Sequence, residues 1–329
     1  MTSVRALRGA VASAVLMIFS QAVAVDAVAD TWPSRPISAI SAVSAGNAGD
    51  TIARIVLDQV SKQIGQSFVL ENRPGGGGTI GTASVAKAEP DGYTVLLLTS
   101  SQSSYVVLHK TLSYDPFRDF APAALFGVQP SVLVAAPSKG WKSVADLVAA
   151  AKAKPGALNF ASAGLGSASH WAAERLRLAT GINVQHIPFR GPVEAFTEVM
   201  TGRVDFYYLP ITPALPNIRE GKIVALAVST PQRAPALPDV QTVAEAGYPD
   251  AEYLFWGGLA FPAKTPRAIV ERLHAETNKA LAVPAVRERL TQLGVLPKPM
   301  GVDEFTTFFH NEITSTVKLA KDINLVPTN

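Results

Sequence analysis

Asn159-Phe160-Ala161-Ser162-Ala163-Gly164-Leu165-Gly166-Ser167-Ala168-Ser169-His170 decides how this chain of 329 residues is read. Leu158 to Ala161 before it is β-prone. Trp171 to Thr180 after it is a helical pattern, with Ala172, Leu176 and Ala179 on one face. The stretch therefore reads as strand, small-residue loop and helix N-terminus. Its two glycines and small side chains let a ligand come close to the backbone. Ser167 or Ser169 is placed to cap the helix. The free N–H groups and the positive end of the helix dipole then face whatever sits there, which favours an anion. An ordinary capped helix start has the same signature, so the anion-site reading leans on a second copy of the pattern.

That copy lies near the N-terminus. Pro36 to Val43 reads as a strand, and Ser44-Ala45-Gly46-Asn47-Ala48-Gly49-Asp50 as a small-residue loop. Ile52, Val56, Val60 and Ile64 then recur every four residues as a helix stripe that stops at Gly65, with Asp50 in the N-cap role. Two such sites, one in each half of the chain, fit a ligand with two acidic ends, or one acid gripped from both sides.

Residues 1–29 read as a secretory leader. Arg5 and Arg8 give a basic start, Ala10 to Phe19 is apolar, and Ala27-Val28-Ala29 is a small-x-small cleavage site. The apolar run is short for a membrane span, so no direct membrane insertion is expected. The chain has no cysteine, which excludes disulfides, thiolate catalysis and Cys-type zinc sites together. Hydrophobic residues make up 48%, enough for real cores. The formal charge is +3; Arg5, Arg8 and Asp26 give the leader +1, leaving +2. That is too small to argue for nucleic acid, and no basic run with interleaved aromatics is present.

After Gly65 the pattern alternates. Ser67 to Glu71 is a strand, Asn72 to Gly78 a loop, Thr79 to Ala88 a helix, and Tyr93 to Thr99 a continuous apolar strand of the buried parallel kind. Ser100 to Ser104 is another small, polar strand exit, in which Ser101 is a candidate ligand contact. Strands follow at Ser131 to Ala136, Val184 to Pro188, Val204 to Leu209, Lys222 to Ser229 and Glu252 to Phe261. Helices follow at Ser143 to Lys154, Val193 to Met200, Pro213 to Glu220, Pro266 to Leu281, Pro284 to Leu293 and Val302 to Ala320. The alternation implies an α/β fold with parallel sheets and a ligand at the carboxyl ends of the strands.

Three motifs compete for an enzymatic reading. Gly76 to Gly81 fits a dinucleotide fingerprint, but the next strand ends Leu98-Thr99-Ser100-Ser101 without the expected acid. A tight turn with close helix–strand packing explains it better. Ser167 and His170 lack a nucleophile elbow and an orienting acid, so an exported hydrolase finds no support. The five histidines include no metal-spaced pair, and neither a metal nor a cofactor is expected. Tyr207, Tyr208 and Trp256 are candidates to line a cleft, as is Phe255. Arg190 follows a strand and is placed to pair a carboxylate.

Ordered motifs over essentially the whole chain beyond the leader resemble the Bug family, the periplasmic solute receptors of tripartite tricarboxylate transporters. They include Trp32-Pro33-Ser34-Arg35-Pro36, Glu71-Asn72-Arg73-Pro74-Gly75, Ala88-Glu89-Pro90-Asp91-Gly92-Tyr93-Thr94, the stretch from Asn159 to His170, Gly202-Arg203-Val204-Asp205 and Ala236-Leu237-Pro238-Asp239-Val240.

The resemblance implies a non-enzymatic, monomeric two-domain Venus-flytrap receptor that closes on a small carboxylate and delivers it to membrane transporter subunits. Each domain is expected to be a largely parallel sheet flanked by helices. Domain 1 is expected at 30–127 plus 256–329 and domain 2 at 128–255, with crossings near Gly127 to Leu133 and Phe255 to Ala260. Carried over, the ligand loops are Ser44 to Asp50 and Ser162 to His170, gripping carboxylates through backbone N–H groups. The first loop departs from the family's usual proline-rich and triple-glycine form, while keeping its length and Asp50. Leu209-Pro210 stands where members often have Asp-Asn, so no carboxylate awaits an ammonium group and an apolar or aromatic acid is the expected ligand.

Overall fold

The structure, a computed structural model, describes residues 32–43, 45 and 48–327; the leader and Ser44, Gly46 and Asn47 lie outside the described residues. Its elements run β1 (Ile37–Ser41), α1 (Ala48–Ile64), β2 (Phe68–Asn72), α2 (Thr79–Ala86), β3 (Thr94–Thr99), α3 (Gln102–Leu108) and β4 (Phe120–Gln129). Then come β5 (Ser131–Ala135), α4 (Val144–Ala153), β6 (Asn159–Ser162), α5 (Ala168–Thr180), β7 (Gln185–Pro188), α6 (Pro192–Met200), β8 (Phe206–Pro210), α7 (Ile211–Arg219) and β9 (Val224–Val228). The chain finishes with β10 (Phe255–Pro262), α8 (Arg267–Ala282), α9 (Pro284–Gln292) and α10 (Val302–Asp322).

The strands form two five-stranded sheets, ordered β2-β1-β3-β10-β4 and β7-β6-β8-β5-β9. In each sheet four strands share a direction and one is reversed: β10 runs antiparallel to β3 and β4, and β5 runs antiparallel to β8 and β9. The two sheets thus repeat one plan. The reversed strand in each is the one whose chain has just arrived from the other sheet. β4 ends at Gln129 and β5 begins at Ser131, so Pro130 is the whole connection. On the way back, the Tyr253 N–H still bonds Ser229 O of the second sheet, while Phe255 already pairs with Gln129 of the first.

Local sequence explains most of these elements. The α1 stripe Ile52, Val56 and Val60 is buried, and Gly65 at φ 71 stops the helix in the left-handed conformation. Val95 to Leu98 are all buried in the middle of the first sheet. Helix α10 serves both halves: Phe305, Phe309 and Ile313 pack in a cluster with Trp256, whereas Leu319 and Ala320 join the cluster under the second sheet.

Two elements were not expected. β4 carries Pro122 and Gly127, which argue against a strand. It sits at the sheet edge, where a missing N–H is tolerated, and is bulged against β10. Helix α3 is serine-rich and poor in helix formers; its entry is held by the Gln102 side chain, which accepts from the Thr99 N–H at 2.7 Å. One cap is corrected as well. The first helix begins at Ala48, so Asp50 is inside its first turn and not the N-cap.

Candidate functional site

A cleft of about 670 Å³ separates the two sheets at the carboxyl ends of their strands. On the first-sheet side it is bordered by Val43, Ala45, Gly75, Gly77, Gly78 and Ser101, and on the second-sheet side by Ala163, Ser167, Ala168, Ser169, Arg190 and Tyr207. Among the described lining residues Arg190 is the one charged residue, and none carries a carboxylate or imidazole. The Arg190 backbone N–H donates to Glu194 at 3.3 Å, and its exposed guanidinium has no ion-pair partner among the described residues.

The loop between β6 and α5 bonds mainly to itself. The Ala163 N–H donates to Ser169 Oγ at 3.0 Å, and the Gly164 N–H to Ser162 Oγ at 3.1 Å. The Gly166 N–H donates to His170 Nδ1 at 3.2 Å, and the Ser167 N–H to Gly164 O at 3.2 Å. Ser167 is the N-cap of α5, its hydroxyl accepting from the His170 N–H. The N–H groups of Leu165, Ala168 and Ser169 make no bond to a described residue. Ala168 and Ser169 are the first two residues of the helix and border the cleft, so their N–H groups and the positive end of the dipole form its anion-binding feature. Gly164 at φ 117 gives the loop its path, and Gly166 fits a close approach: a Cβ there would come within 2.3 Å of Leu108 of α3.

Two imidazoles, His170 buried and His186 half-buried, fix this loop from below. His170 and His186 stack with ring centroids 4.3 Å apart, and His186 stacks on Phe160 at 4.8 Å. His186 Nε2 meets Ser162 Oγ at 2.6 Å. Burial lowers His186 to about 4, and burial with the neighbouring His186 and Arg177 lowers His170 to about 3, so both are neutral. Neutrality is what leaves His170 Nδ1 a lone pair for the Gly166 N–H.

On the other side, Asp50 is buried. It accepts from Asn72 Nδ2 at 2.9 Å and pairs with Arg54 Nε at 3.0 Å. The same Asn72 amide donates to Val43 O at 3.0 Å. Asp50 therefore holds the loop from behind, Gly49 is buried beside it, and Ala45 is the described loop residue that reaches the cleft.

The placement of the remaining candidates is mixed. Ser162, Gly164, Gly166 and His170 stand behind the wall, and Tyr207 and Tyr208 border it while almost fully buried. Burial pushes the Tyr207 phenol up to about 12, offset in part by the nearby Ser169 hydroxyl. Tyr208 turns to the other face of β8, into the core with Phe160 and Phe206. Trp256 is a correction: it is fully buried, edge-on to Phe305 at 5.8 Å, because alternation along β10 sends it to the core and leaves Phe255 at the cleft. Sequence reasoning also missed the glycine turn as a cleft wall. Gly75 to Gly78 all have positive φ, and a Cβ on Gly78 would fall 1.9 Å from the Tyr105 hydroxyl. Its glycine run was the visible signal. Gly81 behaves as a packing glycine, with Arg73 O 2.7 Å from where a Cβ would be.

Two lobes, two adjacent strand crossings and a cleft at the strand ends give the two-domain α/β fold of a solute-binding receptor. Residues 52–325 match the model of the tripartite tricarboxylate transporter family receptor, and the chain belongs to that family. It is 38% identical over 297 residues to a UPF0065 protein encoded in the tcbD-tcbE intergenic region of Pseudomonas sp., covering 90% of this chain and 88% of that one. Among solved structures, an R. palustris protein with adipate is 31% identical at a TM-score of 0.78, covering 90% of this chain and 99% of that chain. MatC from Rhodopseudomonas palustris with bound malate is 32% identical at 0.75, covering 88% and 99%.

Proposed function

We propose that this receptor is exported, captures a small carboxylate with an apolar body in the cleft and delivers it to a tripartite tricarboxylate-type membrane transporter, without catalysing a reaction. The observation that carries the reading is the cleft itself: unbonded N–H groups of Ala168 and Ser169 and the free Arg190 guanidinium face a space that no described carboxylate lines. Such a site stabilises an anion and offers nothing to a ligand ammonium group. Val43, Pro74, Pro210 and Phe255 on its walls suit an apolar or aromatic body. The adipate and malate of the two neighbours support the carboxylate class.

The proposed lobes are 30–127 with 256–329, and 128–255; the crossings at Pro130 and between Tyr253 and Phe255 support that division. Ligand contacts in both lobes would favour a closed state, so capture is hinge closure. A thermal-shift panel of aromatic carboxylates, aliphatic dicarboxylates, citrate, aspartate and glutamate tests the reading, because a ligand of the folded form alone raises apparent stability. Aromatic acids should exceed citrate, and the amino acids should give no shift. Micromolar binding of aspartate would overturn the ligand class.

A further inference from the structure

A second cavity lies away from the cleft, on the flank of the first sheet. It has a volume of about 270 Å³ and opens between the edge strand β4, helices α8 and α9 and the segment 295–299. Leu125, Phe126, Leu281 and Leu290 supply its apolar wall. Arg287 and Lys298 are its charged residues, and no carboxylate lines it. Neither cation has a carboxylate oxygen within 4 Å among the described residues; Lys298 acts on the buried Glu312 through its charge and lies 6.0 Å from the Phe308 ring centroid.

The gap exists because β4 is an edge. Its outer side is bonded by Leu296 at Val128, at 3.0 and 2.7 Å, and by His274 Nδ1 at Ala123 O, at 3.0 Å. Apolar side chains on α8 and α9 cover the rest without filling it. Water finds few partners against such walls, so an apolar guest displaces it favourably. A hydrophilic anion would leave the walls unused, and a neutral hydrocarbon would leave both cations unused.

We infer that this cavity is a second ligand site that takes the apolar body of a small acyl or aryl carboxylate, with its carboxylate held by Arg287 and Lys298. The position also links the site to lobe closure. The segment that forms one side of it continues from Leu293, whose carbonyl accepts from Gln129 Nε2 at 2.9 Å beside the first crossing. Gly294 in between lies against Thr212 of α7, so close that an added Cβ would fall 2.7 Å from its hydroxyl.

Octanoate is a suitable probe, followed by amide chemical-shift mapping and calorimetry on the whole protein. Shifts should cluster at residues 281–298, and Arg287→Glu should weaken that binding at least tenfold. Arg287 is exposed, so the melting temperature of the variant should match wild type. Arg190→Glu, which changes the cleft alone, should leave the 281–298 shifts in place. Shifts confined to 163–169, or an Arg287→Glu affinity for the 281–298 site equal to wild type, would each overturn the second site and leave the cleft reading untouched.

Discussion

The two cleft loops have the same strand–loop–helix plan, and the described contacts that hold them differ. The loop of the second sheet is tied largely by its own residues, with His186 and Ser104 bracing it from outside: Ser162, Ser167, Ser169 and His170 occupy the N–H groups of Gly164, His170, Ala163 and Gly166. The loop of the first sheet is tied from outside, by Asn72 on β2 reaching Val43 O and Asp50. A self-bonded loop is preorganised, and the N–H groups it leaves over are the ones at the helix start. A loop held by a neighbouring strand can change path when its residues change. We propose that the second loop is a general handle for an anion and that the first loop sets ligand identity.

The largest separation of the two should come from acid. His170 and His186 lie below their ordinary 6.5, at about 3 and about 4, so the unfolded chain takes up protons that the folded one excludes. Stability is whole above pH 6.5 and is lost as the pH falls toward 4. The slope is at most about 1.4 kcal/mol per pH unit for the buried His170 and smaller for the half-exposed His186. Urea unfolding from pH 7 to 4.5 should show this slope, and His186→Phe, which keeps a ring against Phe160, should flatten it by less than half. An unchanged slope would remove the histidines from the account.

Next in size is the loss of a single donor. Ala168 is the first helical residue, where proline is well tolerated, and Ser167 before it has the extended backbone (φ −68, ψ 160) that proline requires. Ala168→Pro should leave the fold intact and weaken carboxylate binding roughly 10- to 100-fold, the value of a hydrogen bond to a charged group, about 1.5–3 kcal/mol. Ser167→Pro is the contrasting variant, because its N–H already bonds Gly164 O. It should lower melting temperature first. Equal calorimetric affinities for Ala168→Pro and wild type would move the anion off the helix start.

On the first loop, Asn72→Ala removes the bonds to Val43 O and Asp50 without touching the cleft. Affinity should fall roughly threefold to tenfold, about 1 kcal/mol, and the profile across the carboxylate panel should change. The same ranking of acids at uniformly lower affinity would mean that the first loop does not set identity.

How much of this was legible from the sequence follows the physics of each element. The stripe Ile52, Val56, Val60 and the apolar run Val95 to Leu98 bury one face or both, and their period gives them away. Ser167 was readable as a cap because small hydroxyls at that position have one main use. β4 and α3 were not readable, since edge position and burial override Pro122, Gly127 and a run of serines. The cleft loops were visible as patterns, but which N–H groups stay free depends on where His170, Ser162 and Ser169 turn their side chains, and no spacing rule reports that. Trp256 and Phe255 were indistinguishable as adjacent aromatics until the register of β10 against β4 assigned their faces.

The smallest effect is the sharpest test of preorganisation. The Tyr207 phenol lies near Ser169, whose Oγ accepts the Ala163 N–H and meets Ser167 Oγ at 3.0 Å. Tyr207→Phe removes only the outermost hydroxyl of that group. The ring is buried and keeps its packing, so the fold should be unaffected. If the loop is held cooperatively, loosening Ser169 should be felt at its own free N–H. Affinity should then drop roughly twofold, about 0.5 kcal/mol, through faster ligand release at an unchanged association rate. Combining Tyr207→Phe with Asn72→Ala, which act on different loops, should give additive losses in calorimetry. Losses that fail to add would mean that the two loops are coupled through the bound ligand and that the division between general handle and identity-setting loop is wrong.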